Sequence, residues 1–186
     1  MTNKITLVWL LLGCAVLAGT SQAQDTRLQL DQLNYLSSRA KETVEVMMDR
    51  PAVQLVAKLT SLDAKDHSRL RELAQRIQGI YVRAFEFDNE GDYSASDVES
   101  VRAQLRSPVW QRLVQVRERN GESNEVYFVA RNDQMEGLTV ISAEPRRLCV
   151  ANIVGQMNLE DLSLLDREFG VTNCGKTRNR QEWRRK

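Results

Sequence analysis

Histidine is almost absent. His67 is the only one in 186 residues, which removes the usual general base and the usual zinc ligand from all but one position. It lies three residues before Leu70 along an apolar stripe near a helix start, where packing or a surface role outweighs catalysis. Cysteine is scarce too, with three in the chain, and neither Cys149 nor Cys174 lies in a local catalytic signature. There is no internal repeat and no low-complexity stretch. There is no long membrane span either: the longest apolar run, Ile5 to Ala18 broken by Gly13, falls short of the roughly 20 residues a spanning helix needs. Nor does either charge dominate, with 26 basic against 25 acidic residues.

What the N-terminus does have is the layout of a secretory signal. Lys4 supplies a positive start, Ile5 to Ala18 an apolar core, and Ser21 and Ala23 the small residues of a cleavage site, so residues 1–23 are expected to be removed after Ala23. A rival reading starts from Leu11-Leu-Gly-Cys14, a lipobox-like run in which Cys14 would be lipidated and become the mature N-terminus. Leu12 is bulky for that motif and the apolar run continues past Cys14, which favours the first cut. The expected address is periplasmic or otherwise exported, with a lipoprotein anchored through Cys14 as the alternative.

Residues 24–170 have the length of one domain with a single core. Residues 171–186 form a basic tail that is too polar and charged to pack and is expected to be mobile. From Lys176 onward six basic residues face one acid, Glu182. The body is therefore mildly acidic, which argues against binding nucleic acid. Lys176, Arg178, Arg180, Arg184, Arg185 and Lys186, with Trp183 among them, are candidates for contact with an anionic membrane surface. Cys149 and Cys174 would remain after export, where disulfides persist. A bridge between them requires Cα atoms within about 7 Å, which sequence leaves open.

Local patterning predicts an α+β fold. A short helix spans Asp31 to Lys41, and Val44, Val46 and Met48 alternate as a strand. A helix restarts at Asp49-Arg-Pro51 with Leu55, Val56 and Leu59 inward. Another, capped by Asp63, carries the stripe Leu70, Leu73, Ala74 and Ile77 and is expected to end at Gly79. Ile80 to Phe87 is apolar on both faces, as in a covered central strand. Ser96 and Glu99 suggest the cap of a third helix with Val98, Val101 and Leu105 inward. Four strands follow: Arg112–Arg119, Glu125–Arg131, Leu138–Glu144 and Leu148–Val154, with Asn120-Gly121 as a hairpin turn and a loop leading to Gly137. Gly155 then leads into a helix capped by Asn158 and striped by Leu159, Leu162 and Leu165. The expectation is an antiparallel meander of four strands plus two earlier strands, with helices packed on the sheet.

Two motifs invite a chemical reading and fail on context. Gly170 to Thr177 satisfies the P-loop pattern, yet a helix precedes it and a short charged tail follows, whereas phosphate binding needs a strand before and a helix after. No nucleotide is expected. Glu86, Asp88, Glu90, Gly91, Asp92, Ser94 and Asp97 fall on calcium-loop positions, but Glu at the first and Asp at the twelfth fit poorly. No cofactor and no metal are expected. Phe85, Phe87, Trp110, Tyr127 and Phe128 would serve as core or line an apolar pocket.

From Leu33 to about Gly170 the chain resembles domain-of-unknown-function family 4252, small exported bacterial proteins. Thr43-Val-Glu-Val46, Gly79 to Asp88, Trp110, Gly137-Leu-Thr-Val140, Ala143-Glu-Pro145 and Val150 to Gly155 carry the resemblance. The resemblance brings no catalytic residues, and lipoproteins among its members keep Cys14 in view. The expected function is that of a non-enzymatic envelope-associated protein that binds a partner protein or the cell envelope. The alternative is a carrier or sensor of a small apolar ligand held between sheet and helices.

Overall fold

The computed structural model describes residues 26–60 and 68–169. Six strands form one antiparallel sheet: β1 (Glu42–Asp49), β2 (Ile77–Glu86), β3 (Trp110–Arg117), β4 (Ser123–Arg131), β5 (Gln134–Glu144) and β6 (Arg147–Met157). Their order is β1-β2-β6-β5-β4-β3. The last four make the expected meander, and the β1–β2 pair joins it through β6, so the α+β arrangement expected from the sequence is the one observed.

Strand alternation divides the core in two. On one face Tyr81, Phe85, Leu148, Val150, Ile141 and Tyr127 pack beneath a 3-10 helix (Asp31–Ser38) and α3 (Ala95–Gln104). On the other, Ile80, Ala84, Cys149, Ala151, Ile153 and Val140 pack beneath α1 (Arg50–Thr60), α2 (Ser68–Arg76) and α4 (Leu159–Phe169). We call these the strap face and the three-helix face. Leu33 and Leu36 are fully buried as expected, but on a 3-10 rather than an α-helical turn.

Several boundaries differ from the sequence expectation, each for a local reason. Gly79 is not a helix cap: α2 ends at Arg76 and Gly79 is paired with Asp49 and Val154 inside the sheet. It is glycine because the Tyr81 ring lies over it, and an added Cβ would come within 2.6 Å of the ring. Gly155 likewise stays within β6, at φ +136° opposite a bulge, where a Cβ would meet the Arg76 carbonyl at 2.5 Å. The cap of α3 is Ser94 with Asp97, two residues earlier than Ser96 with Glu99. Asn132 and Asp133, at φ 51° and 60°, close a tight β4–β5 turn in place of the expected loop to Gly137, since this type of hairpin turn needs two left-handed residues. Finally, α1 turns Val53 and Ala57 inward and leaves Leu55 57% exposed. The i, i+4 pair points at the sheet, and Leu55 lies off that line.

Asn158 caps α4 as expected: its side chain accepts the Asp161 amide at 2.9 Å and Asp161 accepts the Asn158 amide at 2.8 Å. The Cys14, His67, Asp63 and Gly170–Thr177 readings, and the tail from Lys176 to Lys186, lie outside the described residues.

Candidate functional site: the open half of the three-helix face

The three helices of this face sit over one side of the sheet only. α1 packs on α2 and β2, and Leu73, Ala74 and Leu165 reach the β2–β6 centre. Toward β4 and β3 the cover thins. Val126, Phe128 and Met135 are only partly buried. At the edge strand, Val114 and Val116 are 43% and 47% exposed, and Leu113, at the bulge between Arg112 and Val114, is 53% exposed. Val114 lies opposite Val126, which lies opposite Val140, so its apolar row runs on across the strands, while Val116 stands at the edge opposite the polar Asn124. Exposed apolar side chains that cluster on an edge strand mark interaction surfaces more often than isolated ones do.

Along the same face a recess of about 410 Å³ opens between the β4–β5 turn and the start of α4, lined by Arg76, Phe128, Asp133, Met135, Met157 and Asn158. Arg76 is held by a two-point ion pair with Asp161, at 3.0 and 3.2 Å. A second cleft of about 730 Å³ continues between α2 and α4, with Arg69, Glu72, Glu160 and Ser163 on its walls. The first opening is apolar with a charged rim and the second is polar.

The aromatic residues that could have lined a ligand pocket are distributed otherwise. Phe85, Phe87, Trp110 and Tyr127 are buried in the packed core of the strap face, and of the five only Phe128 reaches the recess.

The charged residues on the strap face are committed to internal partners. Glu125 is fully buried, accepts from Arg102 Nε at 2.9 Å and from the Tyr127 hydroxyl at 2.6 Å, and pairs with the second Arg102 nitrogen. Burial opposes its ionisation, but the bonds from Tyr127 and Arg102 and the nearby Arg102 and Arg117 charges outweigh this and hold the carboxyl below its usual range. Asp97 behaves alike. Desolvation raises it, while the Tyr35 hydroxyl and the Ser94 amide and hydroxyl, each of the latter at 2.7 Å, more than compensate. That carboxylate is therefore consumed by the α3 cap. Asp92 accepts the Asn89 amide at 3.1 Å and Glu86 pairs with Lys41 at 3.7 Å. The acidic turn does not converge on a point, and among the described residues no group of three or more His, Cys, Asp or Glu could hold a metal ion.

Cys149 is fully buried on the three-helix face and its sulfur is in a disulfide. Its bonding partner lies outside the described residues. Two features escape sequence reasoning. One is the exposed Leu113-Val114-Gln115-Val116 edge, whose apolar content carries no hint of which side is left uncovered. The other is the segment Thr26–Leu30, where Thr26, Leu28 and Leu30 are all buried; their period-two spacing is the available signal.

A six-stranded antiparallel sheet with a complete core on one face and a half-covered opposite face defines a small α+β domain. Residues 35–165 match the family model of a domain of unknown function, DUF4252, and the chain belongs to that family. No curated protein matches the chain.

Proposed function

We propose that this is a non-enzymatic, exported protein that docks a partner protein of the cell envelope on the open half of the three-helix face. The single observation that carries the reading is the set of exposed apolar side chains on β3, Leu113, Val114 and Val116, with Val114 opposite Val126, two residues before Phe128 at the recess. An edge strand with exposed apolar groups is a liability unless something covers it, and a strand of this length is suited to strand addition or to packing of an apolar partner surface. The exported address rests on the leader-like N-terminus alone.

Site-specific photo-crosslinking in intact cells tests the reading. A crosslinker at Val116 should give a discrete protein adduct, while one at the exposed Ala103 on α3, on the opposite face, should not. Equal labelling at both positions, or none at Val116, would count against docking here. Fractionation of the same cells checks the address, with the cytoplasmic fraction as the contrary result.

A further inference from the structure

On the strap face, Thr26 to Leu30 crosses the sheet without adding a rung to it. Side chains hold its backbone. The Asn152 carboxamide accepts the Leu28 amide at 3.0 Å and donates to the Thr26 carbonyl at 3.0 Å. The Gln104 carboxamide accepts the Gln29 amide at 2.8 Å and donates to the Gln29 carbonyl at 2.9 Å. Asn152 is itself fixed in the core by a bond to Thr139 Oγ1 at 3.1 Å. Leu28 and Leu30 are buried in the strap-face core, and Gly137 lets Thr26 approach closely, since a Cβ there would lie 3.0 Å from the Thr26 Cβ. Two amide clamps reading backbone and two apolar sites reading alternate side chains are the elements of extended-peptide recognition, in which main-chain bonds give affinity and pockets give specificity.

We propose that this trough is a peptide-binding site in which Thr26–Leu30 is a resident and displaceable occupant. The partner it fits is an extended segment with leucine-like side chains two residues apart. The resident segment is not a strand of the sheet, and beside the two clamps Arg27 ties it to Asp49 at 3.7 Å and to the Tyr81 ring at 4.3 Å. These are side-chain contacts, so it opens without unpairing β1 to β6, and local opening of this kind costs less than global unfolding. The trough lies on the opposite side of the sheet from Val116 and stands independently of the docking face proposed above.

Two experiments on the full chain decide it. In hydrogen exchange of the wild-type protein, the Leu28 and Gln29 amides should exchange at least tenfold faster than that of Ile153 and with little denaturant dependence. Exchange of all three through the same global unfolding would overturn the proposal. In the second, a labelled peptide of residues 26–32 is titrated against wild-type, Gln104→Ala and Leu28→Asp/Leu30→Asp chains. The last, with its resident segment weakened, should bind at least tenfold tighter than wild type and lose binding when Asn152→Ala is added. No binding to a folded variant would overturn the proposal, and if that variant does not fold, the wild-type exchange result decides alone. Gln104→Ala should speed Leu28 and Gln29 exchange severalfold while leaving Ile153 unchanged.

Discussion

The two faces of one sheet are finished differently. The strap face is closed: a 3-10 helix, α3 and the Thr26–Leu30 segment cover it, and its polar groups, Glu125, Asn152 and Thr139, are buried with partners. The three-helix face is closed over β2 and β6 but open over β4 and β3, where Val114 and Val116 meet solvent. A domain can be stable with half of one face open because burial elsewhere supplies the driving force, at about 25 cal/mol per Å². The closed core and the proposed docking edge thus fall on different parts of the same sheet.

The difference can be broken most severely at the buried ion pair. Arg102→Met would leave the buried Glu125 without its guanidinium partner, and removing one member of a buried pair costs about 3 kcal/mol at the low end, which applies here because the Arg102 side chain is partly exposed; urea unfolding reads the loss directly. Leu148→Ala, at a fully buried site on β6, should cost about 3 kcal/mol by the same measurement, within the range for buried leucine truncations. Asp161→Ala removes half of the α4 capping box and the partner of Arg76, for about 1–2 kcal/mol.

The strap face also carries a pH signature. The Glu125 and Asp97 carboxyls lie below their ordinary values in the folded chain, so they add stability that is complete above the unfolded values, about 4, and is lost as pH falls through the lower native ones. Stability should therefore decline below about pH 4, and Glu125→Gln should make that decline shallower in a pH series of urea midpoints. Tyr93, pushed up to about 12 by burial and then by the Glu144 charge, stays protonated throughout this range.

Much of this is legible in the sequence, and the reasons for the rest are physical. Leu70, Leu73 and Ala74, and Val98, Val101 and Leu105, announce buried stripes because a helix face is set by local spacing. The apolar run from Ile80 to Phe87 announces a strand covered on both sides, and β2 is buried on both. Gly79 and Gly155 look like helix boundaries, yet their glycine identity answers to contacts from Tyr81 and the Arg76 carbonyl, which are set by the tertiary fold. Leu55 looks inward because several apolar residues in α1 compete for the face, and only the position of β2 chooses Val53 and Ala57. The open edge at Val116 is hidden for the same reason: which strand stays uncovered depends on where three helices come to rest. At the N-terminal side, the period-two signal at Thr26, Leu28 and Leu30 is present but spans only five residues, too short to announce a packed segment.

The smallest expected effect on stability tests the contrast between the faces most directly. A single Val116→Lys chain is measured twice, once for its unfolding free energy and once for loss of photo-crosslinking from the neighbouring Val114 in cells. Docking on an open, structurally dispensable edge predicts a change of less than about 0.5 kcal/mol, as for a surface substitution, together with disappearance of the Val114 adduct. A loss of several kcal/mol would place Val116 in the folding core, and an undiminished adduct would show that the open half of this face is not where the partner binds.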